Sequence, residues 1–165
     1  MKNLSIFPSF IIILSLFGFS CEKDSLNDKL PPATTIGAST MAFLVDGKVW
    51  IANSDDFKVY KTGARYESSS ELMYIYGVNH PLARLEIKLK NSKKGMYQFT
   101  TEDAIKYILY DNPSPFYLDI ADSSNSLTIT RYDGGIISGI FSFNLKSSDG
   151  STVSITSGRF DIPVK

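Results

Sequence analysis

Few residues in this chain have the chemistry of an acid, base or nucleophile. One histidine and one cysteine occur in 165 residues. His80 stands in Asn79-His80-Pro81, a turn sequence that puts its imidazole on an exposed loop. Zinc takes three or four nitrogen or sulfur ligands, which one histidine and one cysteine do not supply. No G-x-S-x-G elbow is present, since Gly134 to Gly139 reads Gly-Gly-Ile-Ile-Ser-Gly. The same glycines lack the following helix that would aim backbone amides at a phosphate. Carboxylates are plentiful, but most sit at turns, where Asp is favoured for its backbone hydrogen bonds. Asp119, Asp122 and Asn125 put several oxygens in one loop without the spacing of a calcium loop. The expectation is a protein with no catalytic residue, no cofactor and no metal.

The tyrosines are the better candidates. The chain has nine, with one tryptophan. Tyr74 and Tyr76 are two apart, which places them on one face of a strand. Exposed tyrosines stack on sugars and anchor partners, because they offer area at low entropic cost. Tyr74 and Tyr76 are therefore the expected ligand-binding residues, for a glycan, peptide or envelope partner. Trp50 and most other rings are expected in the core.

The single cysteine marks a different kind of chemistry. Only Lys2 is charged before Glu22, and an apolar run fills Leu4 to Ser20. A basic start, an apolar middle and a small residue before the break have the anatomy of an export signal. Ser20-Cys21 at its end resembles the lipobox of bacterial lipoprotein signal peptides. That resemblance implies a diacylglycerol on the Cys21 thiol, cleavage before it, and acylation of the new amino terminus. Several acyl chains hold a protein durably where one does not. Glu22-Lys23-Asp24 resembles the charged export tag of surface lipoproteins in Bacteroidota-type bacteria. The implied location is the outer membrane, exposed at the cell surface, with the periplasmic face as the alternative.

These features divide the chain into a signal peptide (1–20), a tether (21–40) and a domain (41–165). The stretch EKDSLNDKLPPATTIGAST has too little apolar content to bury, so a flexible tether is expected. Removing the signal takes Lys2 away and leaves one acidic residue in excess. A near-neutral chain has no general attraction for nucleic acid, and none is expected as a partner.

From Met41 onward the pattern alternates with period two. In ARLEIKLK, Leu85, Ile87 and Leu89 share one face, while Arg84, Glu86, Lys88 and Lys90 share the other. GIFSFNL, SLTITR and STVSIT repeat the pattern. Asp46-Gly47 between two apolar segments predicts a tight hairpin, central in its sheet and covered on both faces. TTEDAIKYIL carries a helix-cap signal at Thr100 but ends in strand formers, and a strand is expected. About ten strands between short turns predict an all-β antiparallel sandwich, with a partly open lipocalin-like barrel as the alternative.

VDGKVW at residues 45–50, SLTITRYDGGIISGIFSFNL and VSITSGRFDI resemble the uncharacterised lipoprotein β-domains common in Bacteroidota. There, VDGKxW opens the domain, ISGTFSF fills a late strand and ITDGRFD closes it. Here Ile140 replaces a threonine and Ser157 an aspartate. The resemblance implies location and fold and transfers no functional residue. The functional expectation is a lipid-anchored, non-enzymatic binding domain. A small-ligand barrel and a hydrolase acting on polymers are the alternatives.

Overall fold

A computed structural model describes residues 30–53, 60–112 and 114–165. The signal peptide, Cys21 and the first part of the tether lie outside the described residues. Eleven strands follow in order: β1 (Thr40–Val45), β2 (Lys48–Ile51), β3 (Thr62–Glu67), β4 (Leu72–Asn79), β5 (Ala83–Lys90), β6 (Gly95–Met96), β7 (Ala104–Leu109), β8 (Phe116–Leu118), β9 (Ser126–Asp133), β10 (Ile136–Lys146) and β11 (Thr152–Pro163). No helix forms among the described residues.

Alternation explains these strands. In β5 every second residue, from Ala83 to Leu89, is buried, and the charged residues between them are not. Thr100, the cap signal, closes a turn instead of a helix. Its backbone N–H and hydroxyl both donate to Asp103 Oδ2, at 2.6 and 3.0 Å, and β7 begins immediately after. The buried Asp103 also accepts from Lys90 N at 2.7 Å and Tyr97 OH at 2.8 Å.

All ladders are antiparallel, in the order β2-β1-β11-β10-β8-β7-β5-β4-β3, with β9 on β10 and β6 on β9. The sheet curls into a half-barrel, which combines features of the expected sandwich and partly open barrel. Its ends approach each other: Asn53, just beyond β2, bridges Asn79 of β4, while Ala64 of β3 bridges Val164 and accepts from Lys165 N at 2.9 Å. The space between is filled with side chains. Phe43 stacks on Trp50 at 4.3 Å and meets Tyr107 edge-on at 6.3 Å, while Phe141 stacks on Phe143 at 4.9 Å. Each such pair adds about 0.5–1.5 kcal/mol beyond the area it buries.

The β1–β2 hairpin forms as expected, with Val45 opposite Lys48. Asp46 (φ 47°) and Gly47 (φ 78°) take the two left-handed positions of a type I′ turn. The hairpin is not central, however. β1 is interior, but β2 forms the sheet edge and exposes Lys48 and Ile51.

The tether expectation is corrected over residues 30–39, which lie along the sheet as a strap. Leu30 is buried against Ala42 and Leu44, on the face of β1 that points away from the main core. Thr34 Oγ1 and the N–H groups of Ile36, Gly37 and Ala38 all donate to the Asp161 carboxylate, at 2.7–3.1 Å. Arg159 Nη1 and Arg131 Nη1 donate to the Pro31 and Thr35 carbonyls. Composition missed this because a polar segment can be fixed by hydrogen bonds to a buried charge as well as by apolar area.

Candidate functional site

Met73 and Ile75 point into the core, so Tyr74 and Tyr76 stand on the opposite face of β4. The ladders extend that face across neighbouring strands. One row runs Gly63, Tyr76, Glu86, Lys106, Tyr117, Lys146, and the next runs Arg65, Tyr74, Lys88, Ala104. The two tyrosines named from sequence are thus together, at the centre of a charged and aromatic face.

They form a ridge between two open clefts, and both clefts are bounded by Tyr74, Tyr76 and Arg84. The cleft towards β7 and β8 has a volume of about 210 Å³ and reaches Lys88, Lys106 and Tyr117. The cleft towards β3 has a volume of about 410 Å³ and reaches Tyr60, Arg65 and Lys165. Five basic side chains line the pair, against one carboxylate, Glu86. On a chain with equal numbers of acidic and basic residues this is local segregation of charge.

The rings are not bare. The Arg84 guanidinium lies over Tyr76 at 4.7 Å from the ring centre, and Arg65 lies over Tyr74 at 5.3 Å. Lys106 sits over Tyr117 at 5.7 Å and Lys165 over Tyr60 at 4.5 Å. Gly63 makes one of these contacts possible. A β-carbon there would come within 2.5 Å of the Tyr76 ring, so glycine lets the ring lie against β3. Arg84 Nε also pairs with Glu86 Oε1 at 2.8 Å. Exposed cation–π contacts contribute about 0.5–1 kcal/mol each and surface ion pairs no more. Their main effect is to order long side chains in advance of a ligand.

Sequence reasoning did not find Arg65, Lys106, Tyr117, Tyr60 or Lys165, which reach the face from other strands and from the chain end. The signal for Arg84 and Lys88 was present in the outward half of ARLEIKLK, but the sequence does not give the cross-strand register. The other candidates lie elsewhere. His80 is exposed in its turn, 5.9 Å from the Tyr110 ring. Asp119 and Asp122 accept hydrogen bonds from Ala121 N and Ser124 N, and Asn125 Nδ2 donates to Asp119 O. The hydroxyl and amide of Ser124, followed by Asn144, hold the Asp122 carboxyl below its ordinary pKa. Among the described residues, no three His, Cys, Asp or Glu side chains gather where they could hold a metal.

A wider trough of about 470 Å³ crosses β9, β10 and β11, lined by Ser126, Thr128, Ser142 and Ile140. Its charged group, Arg159, already donates to the Pro31 and Ser157 carbonyls.

No curated protein and no solved structure shows significant similarity to the chain. Residues 39–163, nearly the whole of the curled sheet, match one family, and the chain belongs to it: DUF6252, a domain of unknown function.

Proposed function

We propose that this protein is a non-enzymatic binding domain, held at the outer membrane by lipid on Cys21, that takes a glycan on the Tyr74–Tyr76 face. The observation that carries the binding reading is the ridge itself: two tyrosines, each with an arginine over its ring, between two open clefts. Order before binding lowers the entropic cost of capture. The cleft towards β8 is bounded by one carboxylate, Glu86, already paired with Arg84. Hydrolysis of a glycoside by paired carboxylates calls for two. The lipobox-like Ser20-Cys21 and the Glu22-Lys23-Asp24 tag support the location, in the manner of Bacteroidota-type surface lipoproteins.

The test is retention on a panel of immobilised polysaccharides, using the full chain in detergent. At least one polymer should retain the chain, and the double substitution Tyr74→Ala with Tyr76→Ala should release it while the thermal transition persists. If the folded wild-type chain is retained by no member of the panel, glycan binding is wrong.

A further inference from the structure

We infer that the ligand of the tyrosine face is an anionic glycan, one whose carboxylate or sulfate groups meet Arg65, Arg84, Lys88 and Lys106. This rests on the binding reading above and narrows it to a chemical class.

Charge is the first argument. Arg65, Arg84, Lys88, Lys106 and Lys165 border the two clefts, with Glu86 as the counter-charge. Two of the cations are guanidiniums stacked on tyrosine rings, at 4.7 and 5.3 Å. A guanidinium held over a ring has its rotamers restricted and keeps donors to offer a carboxylate or sulfate, although Arg84 already gives Nε to Glu86. A neutral sugar would want the ring faces themselves, and those carry cations.

Placement is the second argument. Arg65 and Lys88 flank Tyr74 in one row, two strands or about 10 Å apart, and Lys106 stands on β7 in the neighbouring row. A chain of sugars bearing acidic groups, laid across the strands, meets them in succession. A peptide has less to gain here. β4 and β5 are paired on both sides, so an added strand has only the outer edge of β3 to use, and Ala64 there already bridges Val164 and accepts from Lys165 N. Single-stranded nucleic acid binds by stacking bases on open aromatic faces. Tyr74 and Tyr76 carry arginines there instead.

Matched polymers test the idea. Dextran and dextran sulfate share a backbone and differ in charge, polyglutamate supplies acidic peptide, and oligothymidylate supplies nucleic acid. Each is titrated into the full chain in detergent at low and high salt. Dextran sulfate should bind at least tenfold more tightly than dextran, with affinity falling as salt rises. Arg65→Gln with Lys106→Gln should weaken it by up to about a hundredfold, since each of the two lost charged contacts is worth roughly tenfold. Both positions are on the outer face, and an unchanged thermal transition would show that the variant folds. Equal affinity for dextran and dextran sulfate would overturn the anionic class and leave glycan binding intact. Tighter binding of polyglutamate or oligothymidylate would overturn the glycan assignment, and no binding to any polymer would remove both.

Discussion

Met41 Sδ occupies the space that a side chain at position 77 would need. A β-carbon built on Gly77 would stand 2.5 Å from that sulfur and 3.1 Å from Met41 Cβ. β1 and β4 therefore approach across the core at a distance set by a missing side chain. Gly77→Ala should destabilise the domain by about 1–3 kcal/mol, the usual cost of overpacking a filled core. A lower urea midpoint with an unchanged slope is the expected result. No change would mean that Met41, wholly buried here, moves aside freely.

Asp161 should matter most to the strap. Burial opposes its ionisation, but hydrogen bonds from Thr34, Ser138, Ala38 and Gly37 outweigh that and bring its pKa to about 2. Because the folded carboxyl is the more acidic, its stabilisation is complete above the unfolded value of about 4. It is lost as pH falls towards 2, and a shift of this size corresponds to roughly 2 kcal/mol. Asp161→Asn should loosen residues 30–39 at neutral pH, seen as faster amide exchange at Ile36, Gly37 and Ala38. It should also remove much of the acid dependence of the wild-type chain between about pH 4 and pH 2.

At high pH the tyrosines set the limit. Burial, followed by the hydrogen bond to Asp103, raises the Tyr97 phenol well above its usual value. Burial, followed by the charges of Asp46 and Asp111, pushes Tyr107 up to about 12. Both groups favour the folded state below about pH 10, where unfolded tyrosine is still protonated. That contribution is lost as pH rises through the folded values. Stability should therefore fall from about pH 10 upward, and tyrosinate absorbance should rise together with unfolding. Tyr107→Phe should make the fall shallower.

The turn between β1 and β2 offers a local test. Gly47 has φ of 78° with open space around it, so alanine there meets backbone strain and no steric neighbour. Gly47→Ala should cost about 1 kcal/mol, read from denaturant unfolding.

The anchor is tested by Cys21→Ser. The substituted protein should leave the membrane fraction and lack the mass of a diacylglycerol. Persistence with membranes at unchanged mass would remove the lipid from the account.

What the sequence made legible was local. The hairpin at Asp46-Gly47 and the alternation of β5 each depend on neighbours within a few positions, so the order of residues displays them by itself. Tyr74 and Tyr76 were paired for the same reason. The arginines over their rings were hidden, because Arg65 belongs to β3 and Arg84 to β5, and register between strands is a tertiary property. Nothing local marks Asp161, within VSITSGRFDI, as a buried acceptor. Its donors Ile36, Gly37 and Ala38 lie more than 120 positions away, and composition assigned them to a loose linker.

The strap also decides how the domain would carry a load. Tension applied ahead of Leu30 does not first meet the edge strand β2. It meets the packing of Leu30 on Ala42 and Leu44 and the Arg159–Pro31 hydrogen bond, and then the carboxylate of Asp161, on a strand with neighbours on both sides. Four strap donors converge on that one group, as a clamp does. The sheet behind them is spared until the clamp slips.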